Sequence, residues 1–146
     1  MTIQTWIKHE ESSQVLGDKT KHLLACTDEH RPDFQDFLGR HIRESYLSPE
    51  RMQEILEENG LARLAAQVRR KFPRKQETKI GEFGEIVSRV ILEDIFRLRV
   101  PVIKIRYKTH RDIPVHGMDI VAFRFGDDDQ DNVLYLIEVK TATSVS

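Results

Sequence analysis

The sequence predicts an α+β fold: a mainly helical N-terminal region over residues 1–76, then one long helix and three strands over residues 77–146. Three observations carry this expectation. Apolar residues recur at helical spacing between Asp33 and Phe72. A second helical pattern fills residues 78–97. Beyond it, three runs rich in β-branched and aromatic residues are separated by turn signals.

The elements follow in order. Within residues 1–30, the short apolar groups Trp6-Ile7, Val15-Leu16 and Leu23-Leu24-Ala25 read as one or two strands. Asp33 can cap a helix whose apolar side is Phe34, Phe37, Leu38 and Ile42. Ser48-Pro49 starts another, with Ser at the N-cap and Pro at the first helical position. Met52, Ile55 and Leu56 form its apolar face, and Asn59-Gly60 ends it. Leu61, Leu64, Ala65, Val68 and Phe72 define a further helix. That helix runs into the basic stretch Arg69 to Lys75, broken at Pro73, which places a domain boundary near residue 76. The long helix over 78–97 carries Ile80, Phe83, Val87, Val90, Ile91 and Ile95 on its apolar side. The expected strands are 100–107, 118–125 and 133–140, the last two joined by a polar hairpin loop over 126–132.

Composition narrows the classes of function. A chain that is 39% hydrophobic and 32% charged is an ordinary globular protein. Its net charge of -1 gives no overall positive field, which disfavours a DNA-coating protein but leaves room for a local basic groove. The single cysteine, Cys26, cannot form an internal disulfide and reads as a small, semi-buried apolar residue. No signal peptide and no membrane-length apolar run is evident, so a cytoplasmic location and no membrane contact are expected. Homo-oligomeric state is open.

The chemistry concentrates near the C-terminal end. Glu138 and Lys140 stand two apart on an expected strand, so both leave the same face, while Val139 points the other way. A hairpin at 126–132 brings Asp119 beside Glu138. Two adjacent carboxylates repel unless a cation lies between them. Oxygen-only ligation favours a hard ion, Mg²⁺ or Mn²⁺. The ammonium of Lys140 could then orient an attacking water or offset charge developing on a phosphate. Alone, a Glu-x-Lys pair is more often a solvated strand face; the combination with Asp119 points to phosphodiester hydrolysis.

Asp119 followed by Glu138-Val139-Lys140 resembles the PD-(D/E)xK nuclease superfamily. In that superfamily an acidic residue on a preceding helix often joins the metal shell. Here Gly81-Glu82-Phe83-Gly84-Glu85 offers Glu85, with Glu82 one turn earlier as the fallback. Gly117-Met118-Asp119 replaces the proline-aspartate pair of the superfamily's name. Lys79-Ile80-Gly81 through Glu85, Pro101-Val102-Ile103-Lys104, His116-Gly117-Met118-Asp119 and Tyr135 to Lys140 together look like the HamA family, nuclease subunits of the Hachiman anti-phage defence system. The resemblance implies DNA as substrate and a helicase subunit, HamB, as partner. It implies catalytic roles for Asp119, Glu138, Lys140 and Glu85. It further implies a metal held by Asp119, Glu138 and the Val139 carbonyl, with Glu85 assisting directly or through water. The superfamily core continues past its Glu-x-Lys strand with another helix and strand, and only residues 141–146 follow here. The chain is therefore expected either to be an N-terminal portion of such a nuclease or to have its core completed by something else.

Other readings compete for single features. Asp127, Asp129, Asp131 and Glu138 match the first, third, fifth and twelfth positions of a calcium-binding loop, but Asn132 stands where that loop needs glycine and the flanks alternate like strands. A solvated hairpin loop is the better expectation. Lys104, Arg106 and Lys108 alternate with Ile103, Ile105 and Tyr107, which on a strand would put three cations on one face, either solvated or against phosphates. Tyr107 reads as a core or edge aromatic before a base-stacking one. His110 and His116 read as loop polarity, and Gly117 as the residue that lets the backbone turn. Against the nuclease stands a catalytically inactive, nuclease-like module that binds and regulates a partner through the helical region.

Overall fold

Burying Trp6 organises the first half of the chain. The structure is a computed structural model that describes residues 2–10, 21–26, 31–128 and 131–142. Trp6 is 1% exposed and meets Phe34 and Phe37 with ring centroids 5.3 and 5.0 Å apart. Both rings lie on α1 (Arg31–Tyr46), as their spacing predicts. A 3-10 turn at Ile3–Thr5 and the antiparallel pair β1 (Ile7–Glu10) and β2 (Leu23–Cys26) cover this cluster. The expected apolar pair Val15-Leu16 lies outside the described residues. Cys26 is exposed rather than semi-buried, because only Leu24 of β2 reaches the core.

Ser48 caps α2 (Pro49–Lys71) by accepting the Arg51 N–H at 3.2 Å. Gly60, at φ 74 and ψ 175, breaks this helix into two at the point where Asn59-Gly60 indicates a stop. Next comes α3 (Gln76–Asp94), started by the loop rather than by its own cap: the Arg74 and Lys75 N–H groups donate to Asp112 Oδ1 at 2.6 and 3.0 Å. At its far end, Ile3 N–H donates to Asp94 Oδ2 at 2.8 Å, and Val90 enters the Trp6 cluster. α3 therefore shares one core with the N-terminal elements. No helix among the described residues is long and apolar enough to cross a membrane.

The sheet departs from expectation. Residues 100–107 do not form a strand. Arg99 pairs with Phe123 through two backbone bonds of 2.8 Å, and the ladder stops there. The next hydrogen-bonded pair would set Pro101 opposite Val121 and require an N–H that proline lacks. The chain instead leaves the sheet and closes a 3-10 turn at Lys104–Tyr107. Lys104, Arg106 and Lys108 consequently share no face. Lys104 reaches Asp119, Arg106 donates twice to the Glu44 carbonyl at the end of α1, and Lys108 reaches Glu82. Tyr107 is 69% exposed and belongs to no core.

β3 (Ile120–Arg124) and β4 (Val133–Ile137) pair antiparallel, with Ile120 opposite Ile137 and Arg124 opposite Val133. Ile120, Ala122, Tyr135 and Ile137 face Leu98 in a third core cluster. Both strands are shorter than the expected 118–125 and 133–140. At one end the Asp119 side chain takes the Val139 N–H, so a side-chain bond replaces the next rung. Strands on both sides of the acidic loop exclude the calcium-loop reading, which needs helices there. Asp129 of that loop lies outside the described residues.

Glu82 ties the helices to the loop that follows the 3-10 turn. It is 6% exposed, accepts from Tyr46 Oη at 2.5 Å and pairs with the Lys108 ammonium, which also donates to the Arg111 carbonyl. Burial and the Glu82 carboxylate together push the Tyr46 hydroxyl far above its ordinary pKa. Removing one partner of such a buried pair strands the other charge. Glu82→Ala is expected to lose about 3–5 kcal/mol in urea unfolding; an unchanged midpoint would show that water replaces the carboxylate without penalty.

Candidate functional site

Gly117, at φ 114, turns the chain into β3 in a conformation that L side chains rarely adopt, as the sequence suggests. Asp119 follows two residues later. Extending the hairpin register by one pair sets it across from Glu138. Its carboxylate, however, is engaged elsewhere. Oδ2 accepts the Val139 N–H at 2.8 Å, and Oδ1 accepts from Lys104 Nζ at 2.8 Å. The same Nζ lies 3.4 Å from Glu85 Oε1. Lys104 thus stands between two carboxylates from different elements, one on α3 and one at the mouth of the hairpin. All three side chains are mostly shielded, at 16% exposure for Lys104, 18% for Glu85 and 23% for Asp119.

The two carboxyls are shifted in opposite directions. Burial raises Glu85 above the usual glutamate value, and nearby Asp119 adds to it; Lys104 opposes without reversing the shift. Burial acts the same way on Asp119 but loses there. The Lys104 hydrogen bond, the Val139 N–H and the charges of Lys104 and Lys140 together hold Asp119 below the usual aspartate value.

Glu85, Asp119, Val139 and Lys140 line one groove of about 470 Å³, together with Glu77 and Thr141. Four of the residues singled out from sequence are therefore brought together. Glu138 is not among that lining. It lies just beyond β4 and pairs with the Lys140 ammonium at the surface, the two being 65% and 82% exposed. That pairing raises the Lys140 pKa. Glu82, the fallback for the helix position, points to Tyr46 and Lys108, which leaves Glu85 as the helix carboxylate beside Asp119. Val139 contributes its amide to Asp119, and its side chain packs in the third core cluster.

Among the described residues, no group of three or more His, Cys, Asp or Glu is gathered closely enough to hold a metal ion. Glu85 and Asp119 do share one cation, the Lys104 ammonium. Their oxygens are hard donors, which fits Mg²⁺ or Mn²⁺ when waters or phosphate oxygens complete the shell. His110 and His116 are exposed; His110 Nδ1 accepts the Asp112 N–H at 3.3 Å, a loop role.

Lys104 is the residue that sequence reading placed wrongly, as one of three cations on a strand face. The available signal was an ammonium between Ile103 and Ile105 in an apolar run, where a charge needs buried partners. Gly84 is a positioning residue that helical periodicity alone does not single out. A methyl group there would overlap Thr141 Oγ1, so the bare helix surface at Gly84 lets the segment after β4 lie against α3.

A family model described as HamA matches residues 1–146, the whole chain. No curated protein and no solved structure matches it.

Gly84→Ala is expected to push Thr141 outward and loosen the Val139–Asp119 bond without unfolding the protein. Amide hydrogen exchange at Val139 should then quicken; unchanged protection would mean that Thr141 yields alone.

Proposed function

The chain belongs to the HamA family of Hachiman defence-associated proteins, and from that premise we propose that it is a metal-dependent DNA nuclease subunit acting with a helicase partner, HamB. The observation that carries the reading is the convergence of Glu85 and Asp119 on one cation position, beside a groove that Lys140 also lines. A helix followed by an antiparallel hairpin, with Arg99 bridged to its inner strand, is compatible with the start of a PD-(D/E)xK core. In this reading Glu85 and Asp119 hold Mg²⁺ or Mn²⁺, and Glu138 and the Val139 carbonyl supply further oxygens. The bound ion supplies Lewis-acid stabilisation of a phosphate and acidifies the attacking water.

The chain's own residues do the rest. The Val139 N–H and the neighbouring lysines, acting against burial, hold the Asp119 carboxyl below the usual aspartate value. Lys140, at 82% exposure, pairs with Glu138 and lines the groove, where in this reading its ammonium orients water and offsets charge building on the phosphate oxygens. DNA is taken as the substrate from the family, and a cytoplasmic site of action goes with that role.

The Glu138–Lys140 pairing at the surface favours a second reading, a catalytically inactive nuclease-like module that docks on a partner. Cleavage separates the two. With the natural full-length protein, its helicase partner and Mg²⁺, DNA should be cut, and Asp119→Ala or Lys140→Ala should slow cutting by roughly 10²-fold or more. Cutting that survives both substitutions would sink the site assignment; partner capture with no cutting by the unaltered protein would favour the docking module.

A further inference from the structure

We propose that Lys104 is the resident counter-cation of the Glu85–Asp119 pair, and that a divalent ion fills the site only by displacing the Lys104 ammonium. The inference rests on the metal-site reading given under Proposed function. It begins with electrostatics. Two shielded carboxylates cannot sit side by side as anions without a positive charge between them. Lys104 supplies that charge, 2.8 Å from Asp119 and 3.4 Å from Glu85. The position that satisfies both carboxylates is the position a metal ion would take, and one location cannot hold both cations.

The surroundings allow the exchange. Lys104 reaches Glu85 and Asp119 without lining the groove itself. It lines a second cavity of about 350 Å³, with Glu82, Glu85, Lys108 and Asp112, that meets the groove along Glu77, Gly81 and Glu85. That cavity gives its ammonium space to withdraw from the two carboxylates. The lysine stem is unbranched and flexible, and its backbone lies in a short 3-10 turn rather than a sheet ladder. Arginine would not serve, since its planar fork would bind both carboxylates more rigidly. Lys104 is therefore a positioning residue. It holds Asp119 and Glu85 together when no metal is bound and sets the ion concentration at which the site loads.

Mn²⁺ binding by calorimetry on the full chain tests this directly. Lys104→Met should bind Mn²⁺ about 10-fold more tightly than the unaltered protein, because the competing tethered cation is gone. Its thermal midpoint should fall in chelator and recover with Mn²⁺. Equal or weaker Mn²⁺ binding by a folded Lys104→Met protein overturns the role of Lys104 while leaving the metal site standing. No Mn²⁺ binding by either protein overturns the metal-site reading and this inference together. A measurement on the unaltered chain stands even if the variant does not fold. Acetylation of Lys104, followed by mass spectrometry, should be slow without Mn²⁺ and several-fold faster with saturating Mn²⁺, while the exposed Lys8 on β1 serves as reference. A Lys104 rate indifferent to bound Mn²⁺ overturns the displacement.

Discussion

One ammonium group between two carboxylates, Lys104 between Glu85 and Asp119, joins three parts of the chain beside the groove. Glu85 comes from α3, Lys104 from the 3-10 turn after the helix, and Asp119 from the entry to the hairpin. Without a cation there, the first and last would repel. The bond from Val139 N–H to Asp119 Oδ2 then draws the end of the hairpin onto the same point. Gly84 permits the final approach by leaving room for Thr141 against α3. Each contact depends on the others, because the carboxylate that receives Val139 is the one that Lys104 holds in place.

A second buried pair supports the first. Glu82 and Lys108 lie one helical turn and one 3-10 turn away from Glu85 and Lys104, and Tyr46 fixes Glu82 from α1. Two lysines four residues apart thus meet two glutamates three residues apart. The outer pair is nearly dry, with side-chain exposures of 3% and 8%, and anchors the loop. The inner pair opens toward the groove. This difference in burial separates the pair that holds the loop from the pair that borders the groove.

Much of this was legible in the sequence. Helical periodicity located α1 and α3, Ser48-Pro49 and Asn59-Gly60 marked the ends of a helix, and β-branched runs found the β3–β4 hairpin. Gly117 was recognised as a turn, and Glu85, Asp119, Val139 and Lys140 do meet at one groove. What was missed has specific causes. A run such as VPVIKIRY looks like a strand by composition, yet Pro101 removes the N–H that its ladder needs. Once that strand is lost, the alternation that grouped Lys104 with Arg106 and Lys108 has no meaning. Pairing by Glu138 with Lys140 rather than with Asp119 was also illegible, because strand periodicity specifies a face and not a partner.

The most direct measurement is crystallographic. Crystals grown with Mn²⁺ should show anomalous density roughly 2.0–2.2 Å from oxygens of both Glu85 and Asp119, with the Lys104 ammonium withdrawn from both carboxylates. Mn²⁺ held elsewhere while Lys104 still bridges Glu85 and Asp119 would contradict the account.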